Sequence, residues 1–322
     1  MTSNKINHTK QTLPLLDDYL LNLQTNNYSN KTIYNYERDL KVFEDFLNTQ
    51  VKMPLQKASK RTIQLYKAHL SSKDRKTPIK GLQGLKKLNS YSKNRMLSTL
   101  RSYLAYLIEM DYKTPITPEM VKLVKTEKKH PQVAELTDLI RLIEAPEKLE
   151  PNKKVALRNR AMLEVLISTG MRISELVNLK RSQIDDTGKI FIMGKGKKQR
   201  FVYMTQRAIK NLDNYLKTRT DNLEYLFIPY RGSRSGQLDR KISTNYLQMK
   251  IKEYREQLRI NVPTSAHSLR HGFATYLAES GASPAAIQIL LGHESLDTTT
   301  RYVNASDRFA ERSHRKFHPL NK

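Results

Sequence analysis

Four short clusters in this 322-residue sequence carry side chains suited to work on an anionic group. They are Thr169-Gly170-Met171-Arg172-Ile173-Ser174-Glu175-Leu176, Gly194-Lys195-Gly196-Lys197, His267-Ser268-Leu269-Arg270-His271, and Leu291-Gly292-His293 with Tyr302 nine residues further on. Transfer at a phosphodiester passes through a five-coordinate phosphorus whose non-bridging oxygens concentrate negative charge. Guanidinium forks suit that geometry because they donate paired hydrogen bonds to planar sets of oxygens. Arg172 and Arg270 are two such forks. His267 and Arg270 stand three apart, so a helix would present both from one face toward the same phosphate. His293 can donate to a further phosphate oxygen or help to position it. A tyrosine hydroxyl, with an ordinary pKa of about 10, attacks only with cationic surroundings and a group that accepts its proton. A lysine at a hairpin tip can reach a scissile phosphate and protonate the leaving 5′ oxygen, the role expected of Lys195. Its neighbours Lys197 and Lys198 are close rivals for that role and suit contacts to a phosphate backbone better. Glu175, one helical turn beyond Arg172, is expected to orient a catalytic cation rather than to bind metal.

Taken singly, each cluster has an ordinary explanation: a lone His or Arg in a helix is commonly a surface or capping residue, and the chain has 17 Tyr. A zinc site built from His267, His271 and His293 with Glu175 matches no familiar ligand spacing, and neighbouring arginines oppose a dication. His271 by itself reads as a packed or hydrogen-bonded helix residue. Gly194-Lys195-Gly196-Lys197 lacks the Gly-x-x-x-x-Gly-Lys-Ser/Thr pattern of a nucleotide-binding loop. No cofactor is expected.

Composition points the same way. Lys and Arg number 57 against 31 Asp and Glu, a formal net charge of +26 spread along the chain. Such a charge repels itself unless a polyanion is the working partner, and nucleic acid is the first candidate. An anionic membrane surface is the second, weakened because no apolar run approaches the roughly 20 residues of a membrane-spanning helix and the N-terminus has no signal-peptide core. A cytoplasmic protein is expected. The absence of Cys excludes disulfides, thiolate metal sites and Cys nucleophiles, and agrees with that compartment.

The elements that must position these clusters read as mainly helical and divide into two domains. In the first, apolar residues fall at helical spacing: Leu13, Leu16, Leu20 and Leu23, then Ile33, Tyr36, Leu40, Phe43 and Leu47 behind a Ser29 N-cap. A third helix is expected near 59–71, and a fourth carries Leu97, Leu100, Leu104 and Leu107. Between those two, residues 73–88 form a basic connection. Lys76 within it, and Lys93 beyond it, are candidate DNA contacts. A lysine-rich stretch with Pro131 then reads as a linker over 126–134, between a domain over 1–125 and another over 135–322. The second domain is predicted to hold a helix near 155–168, a small antiparallel hairpin pairing Ile190–Met193 with Arg200–Met204, and helices near 205–218 and 239–256. The short apolar stretch Tyr225–Pro229 lies between the last two. Three short helices close it near 268–279, 284–291 and from 296, with Ser283-Pro284 as an N-cap and first helical residue and Gly281 just past a helix end. Arg200, on the returning strand, is grouped with Lys197 and Lys198 as a DNA contact.

Taken together and in this order, the clusters resemble those of the tyrosine recombinases, most nearly the Xer type, from about residue 12 to the end. The resemblance implies an N-terminal SAM-like core-binding bundle and an α+β catalytic domain like that of type IB topoisomerases, the two clamping DNA as a C shape. It implies metal-free, ATP-free chemistry in which Tyr302 is the nucleophile, His267 the base, and Arg172, Lys195, Arg270 and His293 complete the catalytic set. The broken strand is held as a 3′-phosphotyrosine and exchanged through a Holliday junction. The implied partners are duplex DNA with a specific recombination site, three further protomers of this or a related recombinase, and a DNA translocase or accessory factor. The tail after Tyr302 is implied to dock on a neighbouring subunit. The connection between the third and fourth helices is longer than in compact Xer proteins. The first domain has room for one core-binding module and no additional arm-binding domain. Chromosome or plasmid dimer resolution and mobile-element movement both remain open. So do a relaxing topoisomerase using the same chemistry and a DNA-binding protein without activity.

Overall fold

The structure is a computed structural model, and it describes residues 13–72, 88–126, 132–193, 199–230 and 240–292. The chain divides into two compact units, residues 1–129 and 130–322.

The first unit is a helical bundle of α1 (Leu16–Thr25), α2 (Asn30–Phe46), α3 (Lys60–Ser71) and α4 (Ser90–Glu109). Each of the last three starts where a short polar side chain satisfies otherwise orphaned backbone groups. Ser29 accepts from the Thr32 amide, Asn89 from the Ser92 amide, and the Thr62 hydroxyl accepts from the Ser59 amide. The apolar stripes of these helices meet in a core where Leu40, Phe43, Tyr66, Leu97, Leu104 and Leu107 are fully enclosed. Each such burial is worth about 1.5–3 kcal/mol for an aliphatic or aromatic side chain. One buried carboxylate, Asp39, ties α2 to α4 by accepting from Arg95 and from Thr99 (3.1 Å). Asn94 then pairs edge-on with the backbone of Val124, donating to its carbonyl at 2.9 Å and accepting from its amide at 2.8 Å. That pairing fixes where the chain leaves the bundle.

The second unit is built around α6 (Lys153–Thr169), which packs against α5 (Leu136–Leu149), α8 (Gln206–Leu216) and α10 (Ala266–Glu279). Residues 158–166 of α6 are buried without interruption, as expected of a helix with neighbours on every side. Its polar members carry their own partners: Arg158 donates to the Ile228 carbonyl (2.9 Å) and lies over the rings of Tyr230 and Tyr246. The remaining elements are α7 (Ile173–Val177), β1 (Lys189–Met193), β2 (Gln199–Tyr203), α9 (Thr244–Gln257) and α11 (Pro284–Leu291). The strands pair antiparallel with Phe191 opposite Phe201 and Ile192 opposite Arg200. Ile190, Ile192, Arg200 and Val202 face inward while Phe201 and Tyr203 face solvent.

One helix and two boundaries differ from expectation. Helix α5 was not expected; it runs Leu136–Leu149 with Pro146 in its last turn. Helix α9 begins at Thr244 behind a Ser243 cap, later than 239, and α10 begins at Ala266 behind a Ser265 cap, earlier than 268.

Candidate active site

The site grows from the end of α6. Gly170 ends that helix in the left-handed conformation (φ 61°), and its amide donates to the Leu166 carbonyl at 3.0 Å. The turn brings the Gly170 carbonyl to α10, where Arg270 Nη1 donates to it at 2.8 Å. Two residues later Arg172 caps α7. Its amide donates to Glu175 Oε2 at 2.7 Å and its own guanidinium to Oε1 at 3.1 Å. Arg200 reaches the same carboxylate from β2 with both terminal nitrogens, at 3.0 and 2.7 Å. Burial would raise the Glu175 pKa, but the hydrogen bonds from Arg200 and from the Arg172 amide, with both guanidinium charges, hold it below the usual carboxylate range.

Helix α10 contributes Arg270, which is 4% exposed, and His267, which faces solvent three residues before it. Arg270 Nη2 donates to the Leu291 carbonyl at 2.6 Å. Both of these acceptors are neutral carbonyl oxygens, and between them they orient the guanidinium. The imidazole of His267 meets that of His271 edge to face, 4.4 Å between centroids. Partial desolvation of the ring, then the charges of Arg270 and Arg172, push the His267 pKa down and so favour the neutral imidazole. Arg172, Arg270 and His267 therefore converge electrostatically on one region.

Helix α11 ends at Gly292, also left-handed (φ 62°), against the side chain of Arg200. Of the sequence-derived candidates, Arg172, Glu175, Arg200, His267 and Arg270 are thus brought into one neighbourhood, and Lys93 lies on α4 of the other unit. Lys76, Lys195, Lys197, Lys198, His293 and Tyr302 lie outside the described residues. By chain position Lys195 falls between β1 and β2, and His293 directly follows Gly292.

Arg200 is a correction. It was expected to contact DNA, yet its side chain is 7% exposed and turned inward onto Glu175 and the Leu290 carbonyl (3.0 Å). Strand alternation could have given this, since Arg200 shares parity with the inward Val202. Sequence reading also missed that the carbonyls of Gly170 and Leu291 serve as the anchors of Arg270. Among the described residues, no three His, Cys, Asp or Glu side chains are placed to hold a metal ion.

A helical bundle followed by a helix-rich unit with one hairpin, and two arginines whose charges act on one histidine, point to a class. Residues 133–308 match the model of the phage integrase family and residues 16–110 match the phage integrase N-terminal SAM-like domain, so the chain belongs to the phage integrase family, the tyrosine recombinases. Within it, the chain is 30% identical over 313 residues to tyrosine recombinase XerD of Staphylococcus epidermidis, covering 95% of this chain and 98% of that protein. It is 31% identical over 297 residues to tyrosine recombinase XerC of Leptospira interrogans, covering 91% of this chain and 89% of the relative. Its fold is that of the XerH site-specific recombinase in a post-cleavage complex on palindromic difH substrate (TM-score 0.67, 21% identity, 88% of this chain and 79% of that one). The activity of the class is site-specific recombination. No helix among the described residues is long and apolar enough to cross a membrane.

Proposed function

We propose that this protein cuts and rejoins duplex DNA at a specific site through a covalent 3′-phosphotyrosine formed by Tyr302. The observation that carries the reading is the anchoring of Arg270 by two backbone carbonyls beside His267, whose neutral form is favoured, with Arg172 held nearby by Glu175. That arrangement preorganises positive charge where a pentacoordinate phosphorus would gather negative charge, and it leaves an imidazole able to take a proton.

In the cleavage step the Tyr302 hydroxyl oxygen bonds to phosphorus and its proton passes to His267. The bond from phosphorus to the 5′ oxygen breaks, and Lys195 protonates that oxygen as it leaves. Arg172, Arg270 and His293 hold the non-bridging oxygens. The phosphodiester energy stays in the phosphotyrosine ester, so the reverse attack by a 5′ hydroxyl of the partner strand reseals the DNA without a nucleotide. Four protomers on two sites, of this chain alone or with a related recombinase, exchange strands through a Holliday junction, and a translocase or accessory factor activates them. The 126–134 stretch is the linker between the core-binding and catalytic domains. Resolution of chromosome or plasmid dimers and movement of a mobile element are the two roles this chemistry would serve.

The test is single-turnover cleavage of a nicked duplex by Arg172→Ala, His267→Ala and Arg270→Ala variants in EDTA, beside a binding assay on the same DNA. The expected result is a loss of cleavage of at least 10²-fold, the scale of removing one charge-stabilising donor, with binding changed far less. Parallel loss of binding and cleavage would overturn the reading.

A further inference from the structure

An α-helix ends with four carbonyls that lack helical donors, and each needs another partner when buried. At the end of α11 all four are accounted for. The amide of Gly292 reaches Gln288 (2.8 Å) and Ile289 (3.1 Å), Arg200 Nε reaches Leu290 (3.0 Å), and Arg270 Nη2 reaches Leu291 (2.6 Å). One of the two arginines closing the helix belongs to the proposed catalytic set. The other, Arg200, does not, yet it does more structural work there.

Its terminal nitrogens form a paired contact with Glu175, the carboxylate that also receives the amide and the guanidinium of Arg172. Its Cδ lies 3.0 Å from the place a Cβ at Gly292 would occupy, so the side chain is confined on that side as well. Arg200 therefore joins three pieces of chain at one buried guanidinium: the start of α7 carrying Arg172, the end of α11 preceding His293, and strand β2, which follows Lys195 in the sequence.

Charge balance adds a reason. Glu175 accepts from two arginines, and Arg200, with a side chain 7% exposed, makes the paired contact, while Arg172, 38% exposed, makes a single longer one. With Arg200 in place the carboxylate is largely satisfied, and the Arg172 fork is oriented rather than captured. Without it, a buried carboxylate would draw Arg172 into a tighter pair and away from a phosphate. A lysine cannot substitute, because an ammonium on a flexible stem does not reproduce a planar fork that contacts two carboxylate oxygens and a carbonyl at once.

We propose that Arg200 is a positioning residue of strand cleavage, acting through Glu175 to hold Arg172 in the geometry that meets the scissile phosphate. This rests on the reading above that Arg172 contacts that phosphate.

The experiment uses the full-length protein on a nicked suicide duplex. It measures the single-turnover rate of adduct formation, DNA affinity and the unfolding midpoint for wild type, Arg200→Lys, Glu175→Gln, Arg172→Lys and the Arg172→Lys/Arg200→Lys pair. Wild type must form the adduct; if it does not, the functional reading fails and the failure is not that of Arg200. Given a wild-type adduct, Arg200→Lys and Glu175→Gln are expected to bind DNA within about threefold of wild type and to cleave about 10²-fold more slowly, the scale of a misplacement near 1 Å. Because the effect passes through Arg172, the double variant is expected to cleave at nearly the rate of Arg172→Lys alone. Wild-type cleavage by Arg200→Lys, additive losses in the double variant, or loss of cleavage only in step with loss of folded protein would each overturn the proposal. Should Arg200→Lys fail to fold, Glu175→Gln decides: wild-type cleavage by it overturns the proposal.

Discussion

Phe273 lies so close over Gly170 that a Cβ built on the glycine would sit 2.4 Å from its ring. The contact stacks α10 on the end of α6, one turn after Arg270 leaves α10 to bond the Gly170 carbonyl. Gly170 is thus constrained twice, by its left-handed backbone and by the ring against it. Gly170→Ala is expected to lose roughly 1–2 kcal/mol to the backbone conformation and about 1–3 kcal/mol to overpacking. Urea unfolding checks the stability, and adduct formation checks the geometry. Cleavage should fall further than the folded fraction does, because the same shift moves the carbonyl that anchors Arg270.

Much of this site was legible in the sequence, and the reasons differ by residue. Ser29 and the Ser283-Pro284 pair marked helix starts because capping is local chemistry, and both helices begin there. The hairpin followed from its period-two alternation. What failed was reading charge as outward. Arg200 was assigned to DNA on its type, although its parity with Val202 placed it on the inner face, and only the tertiary partner Glu175 makes burial of that charge tolerable. Helix α5 was missed, although its buried Leu139, Leu142, Ile143 and Pro146 fall at helical spacing. The backbone carbonyls that hold Arg270 carry no signature in a sequence at all.

The acid side of the cleavage profile should report His267. Burial and the charges of Arg270 and Arg172 depress its pKa, so the imidazole is still a base at a pH where an ordinary histidine is half protonated. The acid-side half-point of the single-turnover rate is expected to lie below about pH 6.5, the unperturbed value. A rate that halves at or above that value would contradict the assignment.

His271 makes a separate prediction about stability. Burial, then the charges of His267 and Arg270, push its pKa from 6.5 down to about 4. Between those values the unfolded chain takes up a proton that the folded chain refuses, so stability falls as pH falls through that window and is fully present above it. Urea midpoints measured across the window should drop for wild type and drop less for His271→Gln. Glu175 acts lower, since its depressed pKa contributes stability that is lost only as pH falls below the ordinary carboxylate range.

Lys93 sits near the start of α4 with one of its donors engaged by the Ser71 hydroxyl at 3.0 Å. As a phosphate contact it carries no sequence information. Lys93→Gln is expected to weaken binding equally on site-bearing and random duplexes and to reduce the slope of log affinity against log salt by about 0.9. A loss confined to one sequence, or an unchanged slope, would remove Lys93 from the phosphate contacts.

The central claim is that Tyr302 becomes covalently joined to DNA, and trapping that species tests it most directly. Wild type and Tyr302→Phe are incubated in EDTA with duplexes nicked close to the site, or with genomic fragments where the site is to be found, and then denatured. The account predicts a denaturation-resistant adduct on the 3′ phosphate with wild type and none with Tyr302→Phe, while both bind the DNA alike. An adduct that persists with Tyr302→Phe, or tight binding by wild type with no adduct on any substrate, would contradict it.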